Sequence, residues 1–420
     1  MKKILSFLIL LAILFLIPVF LSAQIHVSYN KQDQEKIDSL LKELPKAKED
    51  TNKVLILKNI AFNYRFADQS EAMEYAKRSL ALAEKINWRK GIGIAYNVIG
   101  VVFFNKVKYD SALKYYKNSM GIFEKLKIHE WLQKVLRNIT LLHTRKKEYN
   151  KALEYFDIRL SVARDIKDTL NEAKALFGLG NFYRMTRKYN KAIEYYKKSN
   201  QLFEIIDNKK SIANNLIKNG ILYRKMRNYN EAIVNFKKAE NIMKEINEKR
   251  GLIIALINIG NIYDIMRNFP EANKYFRKSK NIASEIKDKE MLALSYQYLG
   301  SNALREGKID SSEYYLKKAI KLNKELNNDK KNAYIYNSIG MNHKQQGNIS
   351  KALEYFHKCL KISESNKDTF RIAMANHNIG VIHGMNKNID KAMNYFMKSL
   401  SFARAIKDSS LIVQSLISLG

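Results

Sequence analysis

The segment from Gly180 to Ser199 reads G-N-F-Y-R-M-T-R-K-Y-N-K-A-I-E-Y-Y-K-K-S, and a shift of forty residues returns a close copy at Gly220–Ala239 and another at Gly260–Ser279. The leading glycine recurs at Gly100, Gly180, Gly220, Gly260, Gly300, Gly340, Gly380 and Gly420. A fixed period of this size leaves few architectures open. Each copy is one supersecondary unit too small to hide its own apolar face, so consecutive units must stack and the stack is itself the core. A chain of 420 residues would otherwise suggest two or three separate domains. The prolines agree with one uninterrupted series: Pro18 and Pro45 precede the first copy, and Pro270 alone lies inside.

With the glycine as column zero, column three is aromatic or His (Phe103, His143, Tyr183, Tyr223, Tyr263, His343, His383). Column twelve is small, from Ala112 through Ala392, and column sixteen is bulky, as Tyr116, Phe156, Tyr196, Phe236, Phe276, Leu316, Phe356 and Phe396. Spacings of three, four and seven place these residues on one face of a helix. Two cap columns are expected. Column ten holds Asp110, Asn150, Asn190, Asn230, Asp310, Ser350 and Asp390, with Pro270 filling the place once; column twenty-eight holds Asp168, Asn208, Asp288, Asn328, Asp368 and Asp408. Each unit therefore reads as helix A, a tight turn, helix B and a second tight turn. Full units run near 51–90, 91–130, 131–170, 171–210, 211–250, 251–290, 291–330, 331–370 and 371–410, with Ile60 and Thr140 replacing the glycine in the first and third.

These columns resemble the tetratricopeptide repeat, whose unit has Gly-x-x-Tyr in helix A, then Ala, a Phe or Tyr four later and a small residue three beyond. In the unit from 171 the matching residues are Leu179-Gly180, Tyr183, Ala192, Tyr196 and Ser199. The resemblance covers residues 51–420 and implies an all-α fold, a right-handed α-solenoid of stacked helix-turn-helix repeats. The chain departs from the family in its forty-residue period, against the usual 34, and in lacking the proline that ends the unit; the extra residues should lengthen the helices. The resemblance further implies a concave groove lined by helix A that receives a protein or peptide. On this register the groove residues are Asn97, Arg137, Asn181, Arg184, Arg224, Asn261, Asp264, Arg305, Lys344 and Gln345. Asn181 and Asn261 are suited to a peptide backbone, and Arg184, Arg224 and Arg305 to its carboxylates. The family's clamp for acidic chaperone tails is not reproduced, because Phe177 stands where that clamp has a Lys one turn before Asn181.

The two ends bear on location. Residues 1–23 start Met1-Lys2-Lys3, run apolar over 4–21 and finish Leu21-Ser22-Ala23, the pattern of a secretory signal with cleavage after Ala23. An uncleaved N-terminal anchor is the alternative. Residues 24–50 read as a polar leader followed by a capping helix through Ile37, Leu40, Leu41 and Leu44. At the other end the chain stops at Leu419-Gly420 within helix A of a tenth unit, where a solenoid would expose an apolar face. It reads as cut short. Two functions are expected: an exported peptide-binding scaffold of the periplasm or cell envelope, or, as the resemblance to long exported bacterial arrays of this family implies, the extracytoplasmic sensor region of a membrane signalling receptor with a histidine kinase or transcription-regulator output. Membrane contact would come through residues 4–21 or through a missing C-terminal segment.

The formal charge of +33 favours polyanions in principle. Dispersed lysines and an exported location argue against nucleic acid, and the column-eighteen row Lys198, Lys238, Lys278, Lys318, Lys358 and Lys398 reads as a solvated edge. Cys359 is the one cysteine, and it shares a column with Ser199, Ala239, Ser279, Ala319 and Ser399, which makes it a buried packing residue. His343 and His383 fill the aromatic column without the carboxylate spacing of a zinc site. There is no Gly-rich phosphate loop and no nucleophile motif. No cofactor, no metal and no catalysis are expected.

Overall fold

The computed structural model describes residues 31–326 and 328–420. The signal segment 1–23, with its apolar run 4–21, and the start of the leader lie outside the described residues. Helix α1 (Lys31–Glu43) and a 3₁₀ turn (Leu44–Lys46) come first. Helix pairs follow: α2 (Thr51–Tyr64) with α3 (Gln69–Lys85), α4 (Arg89–Asn105) with α5 (Tyr109–Lys125), α6 (His129–Arg145) with α7 (Tyr149–Asp165), and α8 (Thr169–Met185) with α9 (Tyr189–Ile205). Then come α10 (Lys209–Lys225) with α11 (Tyr229–Glu245), α12 (Lys249–Ile265) with α13 (Phe269–Glu285), and α14 (Lys289–Glu306) with α15 (Ile309–Glu325). The last are α16 (Asn332–Gln345) with α17 (Ile349–Ser365), α18 (Thr369–Met385) with α19 (Ile389–Ala405), and α20 (Ser409–Leu419). The fold is an all-α solenoid of stacked helix-turn-helix repeats, with no strand among the described residues. The chain divides into two compact units, Met1–Asn215 and Leu216–Gly420.

Most helices are 17 residues long, about 25 Å at the α-helical rise, and three residues separate one from the next. The turn chemistry sets that interval. Val107 stands at φ 60°, and left-handed residues recur every twenty positions at Asn87, Lys127, Lys147, Lys167 and Arg187, then at Asn247, Arg267, Lys287, Gly307 and Gly347. Val107 N–H donates to the Phe104 carbonyl and Lys108 N–H to the Phe103 carbonyl, both at 3.0 Å. That is the Schellman arrangement, which closes the end of helix A. The Lys108 carbonyl then accepts from Ala112 N–H at 3.0 Å, so one residue ends helix A and caps helix B.

This corrects the expected column-ten caps. Helix B starts two positions earlier than those caps would set it, at Tyr109, Tyr149 and Tyr189, and its caps sit at column eight, as Lys108, Glu148, Lys188, Asn228, Asn268 and Asn388. Asn228, Asn268 and Asn388 accept from the backbone N–H three residues on. Asp110 and its column mates are instead inside the first turn, where Asp110, Asp310 and Asp390 place negative charge against the helix dipole. Column twenty-eight does cap: Asp168, Asn208, Asp288, Asp368 and Asp408 accept from N–H groups at 2.9–3.1 Å. Asn328 caps a 3₁₀ turn (Asp329–Lys331) without a side-chain bond.

The glycine column exists for the ring of column sixteen. A Cβ on Gly180 would lie 2.5 Å from the Tyr196 ring, and the same holds within 2.6 Å for Gly220 and Phe236, Gly260 and Phe276, and Gly340 and Phe356. Those rings are fully buried, each contributing about 2–3 kcal/mol of transfer free energy. The two units without glycine keep the pair in another form. Ile60 faces a small Ala76 and both are fully buried. Opposite Thr140, Phe156 turns to Gly178 of the following repeat, 2.8 Å from where its Cβ would be. Column nineteen packs its small residue against the neighbouring helix A: Ser79, Ser119 and Ser199 donate to the carbonyls of Val54, Gly93 and Ala173. Cys359 is fully buried in this column, and burial pushes its thiol up to about 11.

Ahead of the first pair, Ile37 of α1 is fully buried. Leu40 and Leu41 pack on a cluster of Leu44, Val54, Leu57 and Ile60.

Candidate functional site

Once columns zero, three, twelve, sixteen and nineteen are spent on packing, the polar positions of the A helices remain. In the first unit Asn97 of α4 is buried, and its Oδ1 accepts from Asn138 Nδ2 of α6 at 2.9 Å. Arg137 is exposed. Asn181 of α8 donates to the Phe177 carbonyl at 3.1 Å and accepts from the Tyr196 hydroxyl at 3.0 Å. Burial pushes that hydroxyl up to about 12, against the pull of Arg184. Arg184 is half-buried, with no hydrogen-bond partner for its buried Nε.

The second unit gathers more. On the stretch of α10 after Leu216, Arg224 is buried, and burial lowers its pKa against the attraction of Tyr298 and Tyr229. Asn261 and Asp264 of α12 are buried. Arg305 of α14 donates from Nη1 to Asp264 Oδ2, and Asp264 Oδ1 has no partner. Burial pushes the Asp264 carboxyl up to about 6 even with Arg305 beside it. The Tyr298 hydroxyl, raised by burial, feels Arg224, Tyr334, Arg305 and Asp264 together. Lys344 of α16 is half-buried, and burial alone lowers its pKa. It faces His377 of α18, whose imidazole is pushed down to about 4 by burial and then by Lys344. Gln345 is exposed.

Sequence reading missed several of these. It took the A-helix positions one at a time, whereas the contacts run between repeats: Asn97 with Asn138, Asp264 with Arg305, and Asn337 with Asn378 are each 41 residues apart. That offset of one repeat plus one residue was the available signal. Also missed were Lys58 and Lys134, 5.9 and 4.2 Å from the Trp131 ring centre, and Arg159, which burial pushes down to about 10.

Elsewhere the side chains have local work. His143, His343 and His383 stack on Tyr155, Tyr355 and Tyr395 at 5.3–5.5 Å. Among the described residues no group of three His, Cys, Asp or Glu is placed to hold a metal. Lys198, Lys278, Lys358 and Lys398 lie over Tyr195, Tyr275, Tyr355 and Tyr395 at 4.7–5.5 Å. Lys198 and Lys358 also pair with Glu194 and Glu354 one turn back, so the column-eighteen row is tied down on helix B.

The tetratricopeptide repeat model matches residues 132–204, 211–285, 251–325, 290–365 and 331–405. The chain belongs to the tetratricopeptide repeat family. No curated protein matches it in sequence. Among solved structures it is similar to the apo form of the quorum sensor NprR from B. thuringiensis, at 13% identity and TM-score 0.56, covering 88% of this chain and 98% of that one. It is also similar to aspartyl phosphate phosphatase F from Bacillus subtilis, at 14% identity and TM-score 0.56, covering 84% and 94%. A Rap protein complexed with competence and sporulation factor aligns at 13% identity and TM-score 0.51, covering 87% and 100%. These likenesses establish the fold.

Proposed function

We propose that this tetratricopeptide repeat chain is a non-enzymatic scaffold, exported from the cytoplasm, that captures an extended peptide or protein segment on the helix-A face of its repeats. The observation that carries the reading is where hydrogen-bonding capacity is left over. Buried polar atoms nearly always find a partner. In the second unit Asn219 Oδ1, Asp264 Oδ1, Asn302 Oδ1, Asn342 Oδ1 and His377 Nδ1 have none, and all five lie on A helices, whereas in the first unit such atoms fall on both kinds, His129 Nδ1, Gln133 Oε1 and Arg184 Nε on A helices and Arg159 Nε and Asn200 Oδ1 on B helices. An extended backbone supplies one donor and one acceptor per residue, which suits such a row. The fold neighbours agree in kind, since one is named a quorum sensor and another was solved with competence and sporulation factor.

Random peptides selected on the intact chain, refitted with a photoreactive group, test this. Cross-links are expected on α12, α14 and α16 of the second unit, and Lys344→Gln should weaken the selected peptides at least ten-fold. Lys198→Gln and Lys278→Gln on helix B should leave them unchanged. Cross-links confined to B helices would end the reading. Export is supported by the pattern of residues 1–23, and N-terminal sequencing of the mature protein tests it: a chain starting at Met1 and retained in the cytoplasm refutes it. The sensor reading is supported in kind by a similar fold, at TM-score 0.55 and 14% identity, in a signal transduction ATPase with a tetratricopeptide repeat sensor from Pyrococcus horikoshii. Reading the gene beyond codon 420 decides it, a stop codon there removing the idea.

A further inference from the structure

In the first unit three residues depart from the repeat code at one place. Column nineteen is Ser, Ala or Cys in the other eight repeats, but the third repeat carries Arg159 there. Opposite it, seven residues before the glycine column, Gln133 stands where Ala173, Ala213 and Ala293 stand in later repeats. Two residues before Gly180, Gly178 fills a column that carries a side chain in every other repeat. Ser119 and Ser199 bridge the interface of helices A and B by donating to the carbonyls of Gly93 and Ala173. In the third repeat the bond is reversed, and Gln133 Nε2 of α6 donates to the Arg159 carbonyl of α7 at 2.8 Å. The column-nineteen side chain is thereby released. It reaches α8, where its Nη1 lies 3.3 Å from the place a Cβ on residue 178 would take.

What it brings there is a charge without a counter-charge. Arg159 is 3% exposed. Its Nε has no partner, and among the described residues no oxygen accepts from its guanidinium. The Phe156 ring centre lies 5.8 Å from Cζ. The charged group that acts on Arg159 is a second cation, the exposed Arg137 of α6. A buried guanidinium without a carboxylate is strongly destabilising, and a cation–π contact offsets only part of that. Packing does not call for the charge, because eight repeats close the same interface with a small residue.

We propose that the third repeat binds a tetrahedral oxyanion, phosphate or sulfate, between Arg159 and Arg137. The planar fork of a guanidinium presents paired N–H groups that match two oxygens of such an anion. Two cations with no acid between them call for a dianion, a charge that chloride or a single carboxylate does not bring. The site belongs to the packing of α6, α7 and α8, and it stands whether or not the second unit takes a peptide.

Equilibrium dialysis of the intact chain against radiolabelled inorganic phosphate, in sodium chloride at physiological ionic strength, tests it. Saturable binding of about one phosphate per chain is expected, displaced by sulfate and not by an equal concentration of acetate. Arg159→Met should weaken it about a hundred-fold and Arg137→Gln about ten-fold, while Lys198→Gln on helix B leaves it unchanged. The thermal midpoint of the parent should rise with phosphate. That of Arg159→Met should not move, and without phosphate it should lie above the parent's, because an uncompensated buried charge is gone. Circular dichroism reports folding; if Arg159→Met is unfolded, Arg137→Gln, a change at an exposed residue, carries the test. Phenyl phosphate measured beside inorganic phosphate identifies the source: tighter binding of the ester means a phosphorylated ligand, tighter binding of phosphate a free anion, and either supports the site. Weak, unsaturated binding that Arg159→Met retains would reflect diffuse attraction to the net charge of +33 and overturns the proposal. So does an absence of binding, or displacement by acetate as effective as by sulfate.

Discussion

Replacing Val107 with glycine should stabilise the first unit. Val107 is a β-branched residue at φ 60° with most of its side chain in solvent, so it contributes little burial and all of its strain. The left-handed conformation costs an L-residue about 1–2 kcal/mol, with Val at the upper end. Glycine adopts it freely but surrenders about 0.5–1 kcal/mol of extra chain entropy on folding. The net gain is about 1 kcal/mol. Both Schellman bonds, from Val107 and Lys108 to Phe104 and Phe103, are made by backbone and survive the change. The protein carries its own reporter, because its two tryptophans are Trp88 and Trp131, one on each side of this turn in the same unit. Urea unfolding followed by their fluorescence should move its midpoint upward by about 0.5 M, given slopes of about 1–3 kcal/mol/M. Val107→Ala, which removes only the branch, should gain less. A Val107→Gly midpoint at or below the parent, with an unchanged slope, would show that the turn is not strained and refute the reasoning.

Gly180→Ala should destabilise by about 1–3 kcal/mol through overpacking against the buried Tyr196 ring, despite alanine's better helix propensity. A double-mutant cycle with Tyr196→Ala, which imitates the natural Ile60 and Ala76 pair, should show strong non-additivity in thermal unfolding; additive effects would dissociate the two positions. Asp264 makes the second unit more stable in acid. Its carboxyl is raised from 3.8 to about 6, so the folded state binds more protons than the unfolded one between those values. Stability from this group is full below about 4 and falls as pH rises through 6, by up to about 3 kcal/mol. Comparing guanidinium unfolding of the parent and Asp264→Asn at pH 4.5 and 7.5 isolates it, and parallel pH profiles would count against it.

The fold was legible because packing demands repeat in every copy: the glycine, its ring and the small columns are copied forty residues apart, and no other architecture uses them so. The turns were less legible. A left-handed helix end normally announces itself by glycine or asparagine, but Val107, Lys127, Lys147 and Arg187 hold that position here. With the punctuation missing, the Asp and Asn residues two places beyond the true cap looked like caps. The polar side of the A helices was legible only as a list of positions. What relates its members, such as Arg305 reaching Asp264 of the preceding repeat, depends on how far neighbouring A helices slide past each other, and no single helical register contains that.

The regular interval between left-handed turns has a genetic consequence. Since each interval is the same length, a recombination event that removes or adds forty codons between equivalent columns joins a helix to its own counterpart, with every ring still opposite a glycine. An exchange whose length is not a multiple of forty codons would leave the unit that holds the junction with its ring and its glycine out of step, and with an apolar stripe that no longer meets its neighbours. Lineages carrying this gene should therefore vary in length by steps of 120 nucleotides, and the 3₁₀ turn Asp329–Lys331 obeys the same rule, since Gly300 and Gly340 on either side of it stay forty residues apart.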